Sequence, residues 1–291
     1  MHANSMCISC ILSKQEKSIR DFTDEDKKSV YIQKVLEILS MHGCVESSPW
    51  LVEQINHSYE QCWGIGEDYT AIKHEYNQLL LDKESDIVCK IKHSEDCLKE
   101  CIKYVSIGNY IDFSAVDNVN EKTLEDLLSQ VNDERISQEY LYFKEDLKQA
   151  KKLVYLTDNC GEIVLDKIFM CFIKETYPNL KITAIVRGEC VINDATIEDA
   201  KEVGLTEVVR CIGNGNAAPG TVFKRLSEEA RHTLESADMI ISKGQGNFES
   251  MYGEGFNPYY IFLCKCELFV RRFGLPQYEM VFAKEERIGS L

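Results

Sequence analysis

The chain has 291 residues, 44% of them hydrophobic, and a formal net charge of -15. That hydrophobic share supports a packed core rather than disorder, and the acidity opposes a nucleic-acid partner, which needs clustered Lys and Arg. Apolar runs stay well short of a bilayer span and the opening MHANSMCISCIL lacks a basic leader and a long apolar stretch, so a cytoplasmic protein with no membrane partner is expected.

Residues 1–150 are predicted as a helical domain. TDEDKKSVYIQKVLEIL opens with a capping pattern at Thr23 and Asp26, then spaces Tyr31, Val35, Leu36 and Leu39 at helical intervals. SSPWLVEQINHSYEQCW offers Ser48 as an N-cap and Pro49 at the first helical position. Amphipathic stretches follow through Leu79–Leu81, Ile87–Ile91 and Leu98–Val105. SIGNYIDFSAVDN interrupts the helical period at Gly108, Asn109 and Asp112, and TLEDLLSQV resumes it. The 13 cysteines, in apolar segments such as FMCFI and YYIFLCKCELF, are expected as reduced core thiols. Cys7 and Cys10 would form half a zinc site, but no second close pair completes it, so a structural or incidental role is expected.

From Lys152 the pattern changes. Short apolar, β-branched runs (KLVYLT, KITAIV, EVVRCI, ADMIIS, then YYIFLCKCELFV and YEMVFA) alternate with helical patterns. That alternation predicts an α/β fold over residues 151–291: a three-layer, Rossmann-like, mostly parallel sheet.

Ligands bind such sheets beyond the carboxyl ends of the strands. After KLVYLT come Asp158, Asn159, Cys160, Gly161 and Glu162; after KITAIV, Arg187, Asn193 and Asp194; after EVVRCI, GNGNAAPGT; after ADMIIS, Lys243, Gly244, Gly246 and Asn247. Singly these are turn residues. Together they bring carboxylates, amides, glycines and two cations to one edge. Asp158, Asn159 and Asp194 offer oxygen ligands, which suit a hard divalent ion kept partly hydrated. Lys243 and Arg187 suit a phosphate, and glycines let backbone N–H groups approach an anion. These loops contain no histidine, and Cys160 has no evident activating partner, so metal-assisted phosphate chemistry fits better than a nucleophile–base triad. GNGNAA matches a dinucleotide fingerprint by spacing, but Pro219 and Gly220 delay the next helix and the motif follows the third strand. Thr196 and Asp199 are spaced as a capping box.

The ordered set CISC, GNYIDF, DNCGEIVLD, VRGECVINDAT, GNGNAAPGT and KGQGNFES resembles the damage-control phosphatase family, the former domain of unknown function eighty-nine with the acidic-residue-methyltransferase-like fold, in its compact prokaryotic-type subfamily. The resemblance spans nearly the whole chain. It implies a helical domain on an α/β domain and metal-dependent hydrolysis of small phosphorylated metabolites: sugar phosphates, nucleotides or damaged phospho-metabolites. It implies a divalent ion (Mg, Mn, Co or Ni) on Asp158, Asn159 and Asp194, with Lys243 as the basic residue and Asn109 and Asp112 facing the metal from the helical half. Catalytic roles are expected for Asp158, Asp194 and Lys243; the attack goes by water or through a phospho-enzyme. Substrate contacts are expected from Asn109, Asp112, Arg187, Lys243, Gly244 and Asn247. Cys160 and Cys190 depart from the family pattern, where small non-thiol residues are usual. The rival readings are a carboxylate methyltransferase, for which these residues offer no methyl-donor loop, and a non-catalytic binder of phosphorylated metabolites. Oligomeric state is left open.

Overall fold

A computed structural model describes residues 1–64, 66, 68–108, 128, 131 and 133–288. Among these, seven helices precede the first strand: α1 (Ser5–Ile19), α2 (Glu25–His42), α3 (Ser48–Trp63), α4 (Thr70–Leu81), α5 (Glu84–Lys92), α6 (Cys97–Gly108) and α7 (Asp133–Gln149). The sequence then alternates as β1 (Lys152–Leu156), α8 (Glu162–Thr176), β2 (Lys181–Val186), α9 (Ile197–Glu202), α10 (Leu205–Val208) and β3 (Arg210–Gly213). It continues with α11 (Glu228–Glu235), β4 (Met239–Lys243), α12 (Gln245–Met251), β5 (Tyr259–Leu263), α13 (Glu267–Phe273) and β6 (Met280–Lys284).

The six strands form one sheet in the order β3-β2-β1-β4-β5-β6. Strands β1 to β5 run parallel, and β6 returns antiparallel to β5. β1 and β4 are neighbours from which the chain winds outward in opposite directions, so the order reverses between them. That reversal opens a crevice at their carboxyl ends.

Alternation along the strands sends side chains to two cores. Leu153, Tyr155, Ile241 and Ile261 face α8, together with α4, α5, α6 and α7. Val154, Leu156, Ile240 and Phe262 face α11, α12 and α13, where Phe248 packs among Tyr260, Phe262, Phe269 and Phe273. α8 lies between the sheet and the helices α4–α6, which explains why EIVLDKIFMCFI is apolar on every side. The change of pattern near residue 150 coincides with the junction of α7 and β1, whereas the hydrophobic core runs across it: residues 76–147 and the sheet share one cluster. Helices α1–α3 enclose a separate small core around Tyr31, Leu51 and Ile55. They attach to the rest through α3 on α12 and the ion pairs Arg225–Glu53 and Lys224–Glu46.

Several local expectations shift. The cap of α2 is Asp24, whose carboxylate accepts from the Lys27 N–H, rather than Thr23, and Leu36 is exposed because it lies about 100° round the helix from the centre of the Tyr31/Val35/Leu39 stripe. Ser47 rather than Ser48 precedes α3. All 13 cysteines are free, and three of them (Cys101, Cys160 and Cys264) are fully buried, so the expectation of core thiols holds for a minority. The capping box is present: Asp199 accepts from the Thr196 N–H at 2.8 Å.

Candidate active site

β1 is followed by Thr157, Asp158 and Asn159, and a short bridge pairs Asn159 with Asp194 from the loop after β2. The Asp158 carbonyl accepts from Ala195 N–H, and the Asn193 carbonyl accepts from Cys160 N–H, at 2.8 Å each. Residues 36 positions apart are thus locked side by side by backbone alone. Arg187, 2% exposed, crosses between them. Its Nε donates to Asp194 Oδ2 at 2.5 Å, its Nη2 to Asp158 Oδ1 at 3.3 Å and its Nη1 to Asn247 Oδ1 at 3.0 Å. Asn159 Nδ2 donates to Asp158 Oδ2 at 2.9 Å and to Glu162 Oε2 at 3.0 Å.

Lys243 ends β4 and was expected to project over the strand ends. It does not: the side chain is fully buried, and Nζ donates to Glu162 Oε1 at 2.6 Å and Asp166 Oδ1 at 2.8 Å. Both carboxylates sit one turn apart on α8, and Lys243 shares the sheet face of Tyr155, which points at that helix. Unpaired charges are not tolerated in such surroundings. Glu162 and Asp166 received no role from sequence reasoning. Their signal was present: two acids four residues apart in a helix that is otherwise apolar all round.

The expected substrate contacts also take other positions. Gly244 N–H is committed to the Ile261 carbonyl at 3.0 Å, so it is not offered to an anion. Its φ of +80° and its closeness to the Asp158 carboxylate explain the glycine, because a Cβ there would sit 2.0 Å from Asp158 Oδ2. Gly246 lets the Pro219 carbonyl approach where a Cβ would lie 2.1 Å away. Asn247 is saturated: Nδ2 donates to the Thr157 and Lys243 carbonyls, and Oδ1 accepts from Arg187 and Thr221. It ties the ends of β1 and β4 together. GNGNAA is likewise a stapled turn, with Asn214 accepting from Gly188 and Asn216 N–H groups and Asn216 accepting from Ala218 N–H. Asn109 and Asp112 lie outside the described residues. The helical half does reach the site elsewhere: Asn77 of α4 accepts from Gly161 N–H at 2.7 Å and donates to Asp199.

Charge is the distinctive property of this edge. Asp158, Asp194, Glu162 and Asp166 pack with Arg187 and Lys243 in one buried, carboxylate-rich cluster. Burial, then Asp194 and Glu162, push the Asp158 carboxyl up to about 8. Burial likewise raises Asp194, against the pull of Arg187. Burial acts against the Lys243 charge, but Asp166 and Glu162 outweigh it and hold the ammonium above the ordinary lysine value. Among the described residues no group of three or more His, Cys, Asp or Glu side chains is arranged to hold a metal. The candidate donors are two carboxylates and an amide, a set outside that definition. Their oxygens fit a hard divalent cation. A separate cavity of about 210 Å³, lined by Asp146, Tyr259 and Lys284, opens at the amino ends of β4 and β5, at the other end of the strands.

A family model described as the damage-control phosphatase ARMT1-like domain matches residues 3–281. The chain belongs to this family. The damage-control phosphatase of Archaeoglobus fulgidus is 30% identical over 293 residues, spanning 97% of this chain and 98% of that one. That of Pyrococcus horikoshii is 32% identical over 181 residues, 62% of each chain. The crystal structure of a duf89 family protein from Pyrococcus horikoshii superposes with a TM-score of 0.82 over 98% of this chain and 99% of that one, at 24% identity. That likeness shows the fold: a mostly parallel six-stranded sheet flanked by helices.

Proposed function

We propose that this damage-control phosphatase family member is a metal-dependent phosphomonoesterase acting on small phosphorylated metabolites. The observation that carries the proposal is the buried cluster at the β1/β4 crevice, where the Asp158 and Asp194 carboxylates meet the Asn159 amide around Arg187. Asp158, Asn159 and Asp194 would hold a divalent ion such as Mg, Mn, Co or Ni. When bound, that ion supplies Lewis-acid neutralisation of phosphoryl oxygens, the main requirement of phosphoryl transfer.

The chain's own residues prepare the site. Arg187 fixes the rotamers of Asp158 and Asp194 by donating to one oxygen of each. Asp158, with its carboxyl pushed up to about 8, retains a proton near neutrality and releases it when positive charge arrives. Asp158 and Asp194 then serve to orient the attacking water, and Lys243 supplies counter-charge from below rather than contact with the phosphate. Relatives named as damage-control phosphatases support the reaction class.

The test is inorganic phosphate release from sugar phosphates, nucleotides and other phosphorylated metabolites by chelator-stripped protein, with Mg, Mn, Co and Ni supplied separately. Multiple turnover with at least one substrate, abolished by chelator and restored by metal, is expected. Turnover that persists unchanged in excess chelator overturns the metal dependence, and binding without turnover favours a non-catalytic role.

A further inference from the structure

Behind the crevice runs a line of buried polar side chains that the proposed reaction does not touch. Tyr155 Oη donates to Asp166 Oδ1 at 2.6 Å, and the same oxygen accepts from Lys243 Nζ at 2.8 Å. Lys243 reaches Glu162 Oε1 at 2.6 Å, and Glu162 Oε2 accepts from Asn159 Nδ2 at 3.0 Å. Tyr155, Asp166, Lys243 and Glu162 are each 0% exposed, so the line is shielded from water throughout.

The line has a direction because an amide is asymmetric. Asn159 has one donor end and one acceptor end. Its nitrogen is committed to two carboxylates, Asp158 and Glu162. A flipped amide would set its oxygen against both, so the amide oxygen is held away from them. That oxygen is the end a hard cation needs. The orientation depends on Glu162 staying in place. Glu162 is gripped by Lys243, and Lys243 is pulled equally by Asp166, which β1 anchors through Tyr155. Without Asp166, Lys243 would retain Glu162 as its one carboxylate partner on α8 and be free to follow it.

We infer that Asp166 is a positioning residue for the candidate cation site, acting through Lys243 and Glu162 on the Asn159 amide. This rests on the reading of Asp158, Asn159 and Asp194 as cation ligands. Partners that orient a ligand from behind commonly change metal affinity 10- to 100-fold when removed (about that range).

A purely structural role would make Asp166 no more than the neutraliser of a buried lysine. The two roles separate in Asp166→Asn, where Lys243 keeps Glu162 as its neutralising partner and only the opposing pull of Asp166 is lost. Mn²⁺ affinity is measured by equilibrium dialysis of stripped protein, alongside thermal midpoint, for wild type, Tyr155→Phe, Asp166→Asn and the double variant Asp166→Asn/Lys243→Met. Asp166→Asn is expected to weaken Mn²⁺ binding roughly 10-fold or more. The double variant also takes the lysine from the buried Glu162 carboxylate, so it should be less stable than Asp166→Asn and keep the weak affinity. Tyr155→Phe, which alters no charge, should fold normally and weaken Mn²⁺ binding a few-fold. Wild-type Mn²⁺ affinity in folded Asp166→Asn and in Tyr155→Phe overturns the positioning role while leaving the cation site intact. Absence of Mn²⁺ binding in the wild type overturns the cation reading itself and the positioning role with it.

Discussion

Arg187 donates to Asp158, Asp194 and Asn247 at once, and through them it decides what a single substitution can do at this edge. Asp158 already favours its protonated form, because burial and two neighbouring acids push it up to about 8. Replacing it with a neutral isostere removes a charge that the cation-free protein does not hold comfortably. Asp158→Asn is therefore expected to leave the thermal midpoint of stripped protein unchanged or raised, while phosphate release falls 100-fold or more. Scanning calorimetry and a phosphate assay on the same preparation check both halves. A midpoint lowered by several degrees would make Asp158 a structural residue. Which of these side chains meet was readable from sequence for Asp158, Asn159 and Asp194, since each follows a strand of one parallel sheet. The aim of Lys243 was not. It depends on which face of β4 the residue occupies and on two acids of α8 that lie 77 and 81 positions away.

At the scale of elements, α7 is docked by carboxylates as well as by its own buried apolar stripe of Ile136, Phe143 and Leu147. Asp146 accepts from Tyr259 Oη and Lys284 Nζ, Glu139 accepts from Arg287 and the Lys284 N–H, and Tyr140 donates to Asp96 at 2.5 Å. Burial works to raise Asp96 and Asp146, but Tyr140 and Lys144 at the first and Lys284 and Tyr259 at the second outweigh it, holding both below the ordinary 3.8. A carboxyl with a depressed folded-state pKa stabilises the fold above its unfolded value, and that contribution is lost as pH falls through the folded value. Amide exchange in α7 is accordingly expected to accelerate below about pH 4 before exchange in β1 or β4 does. Asp146→Asn should flatten this pH dependence; an unchanged profile would show that other contacts dock the helix. The alternation of strands and helices was legible because periodicity switches visibly at Lys152. The position of α8 between two layers was not: an all-round apolar helix says that it is buried, and cannot name what covers it.

For the whole molecule, the carboxylate-rich cluster is part of an overall charge of -15. A divalent ion that binds the folded state alone should stabilise it by about 2.7 kcal/mol at 100 times its Kd, a shift of several degrees. Mn²⁺ is expected to raise the melting temperature where NaCl of matched ionic strength does not, and the gain should vanish in Asp158→Asn. Equal gains from both salts would reduce the effect to screening of the acidic surface. The fold as a whole was accessible from sequence, because six strand runs and their connections leave few right-handed parallel arrangements. No helix among the described residues is long and apolar enough to cross a membrane.

The core that continues from residue 76 across to Phe282 makes α4–α7 the cover of one sheet face rather than a neighbour of it. The carboxyl-terminal half is therefore expected not to behave as a module when expressed by itself. Residues 151–291 alone would lay bare the outer side of α8 and the α7-facing parts of β5 and β6, an oily surface with every reason to aggregate. The two sequence textures that meet at residue 150 differ in style, yet they share one hydrophobic core.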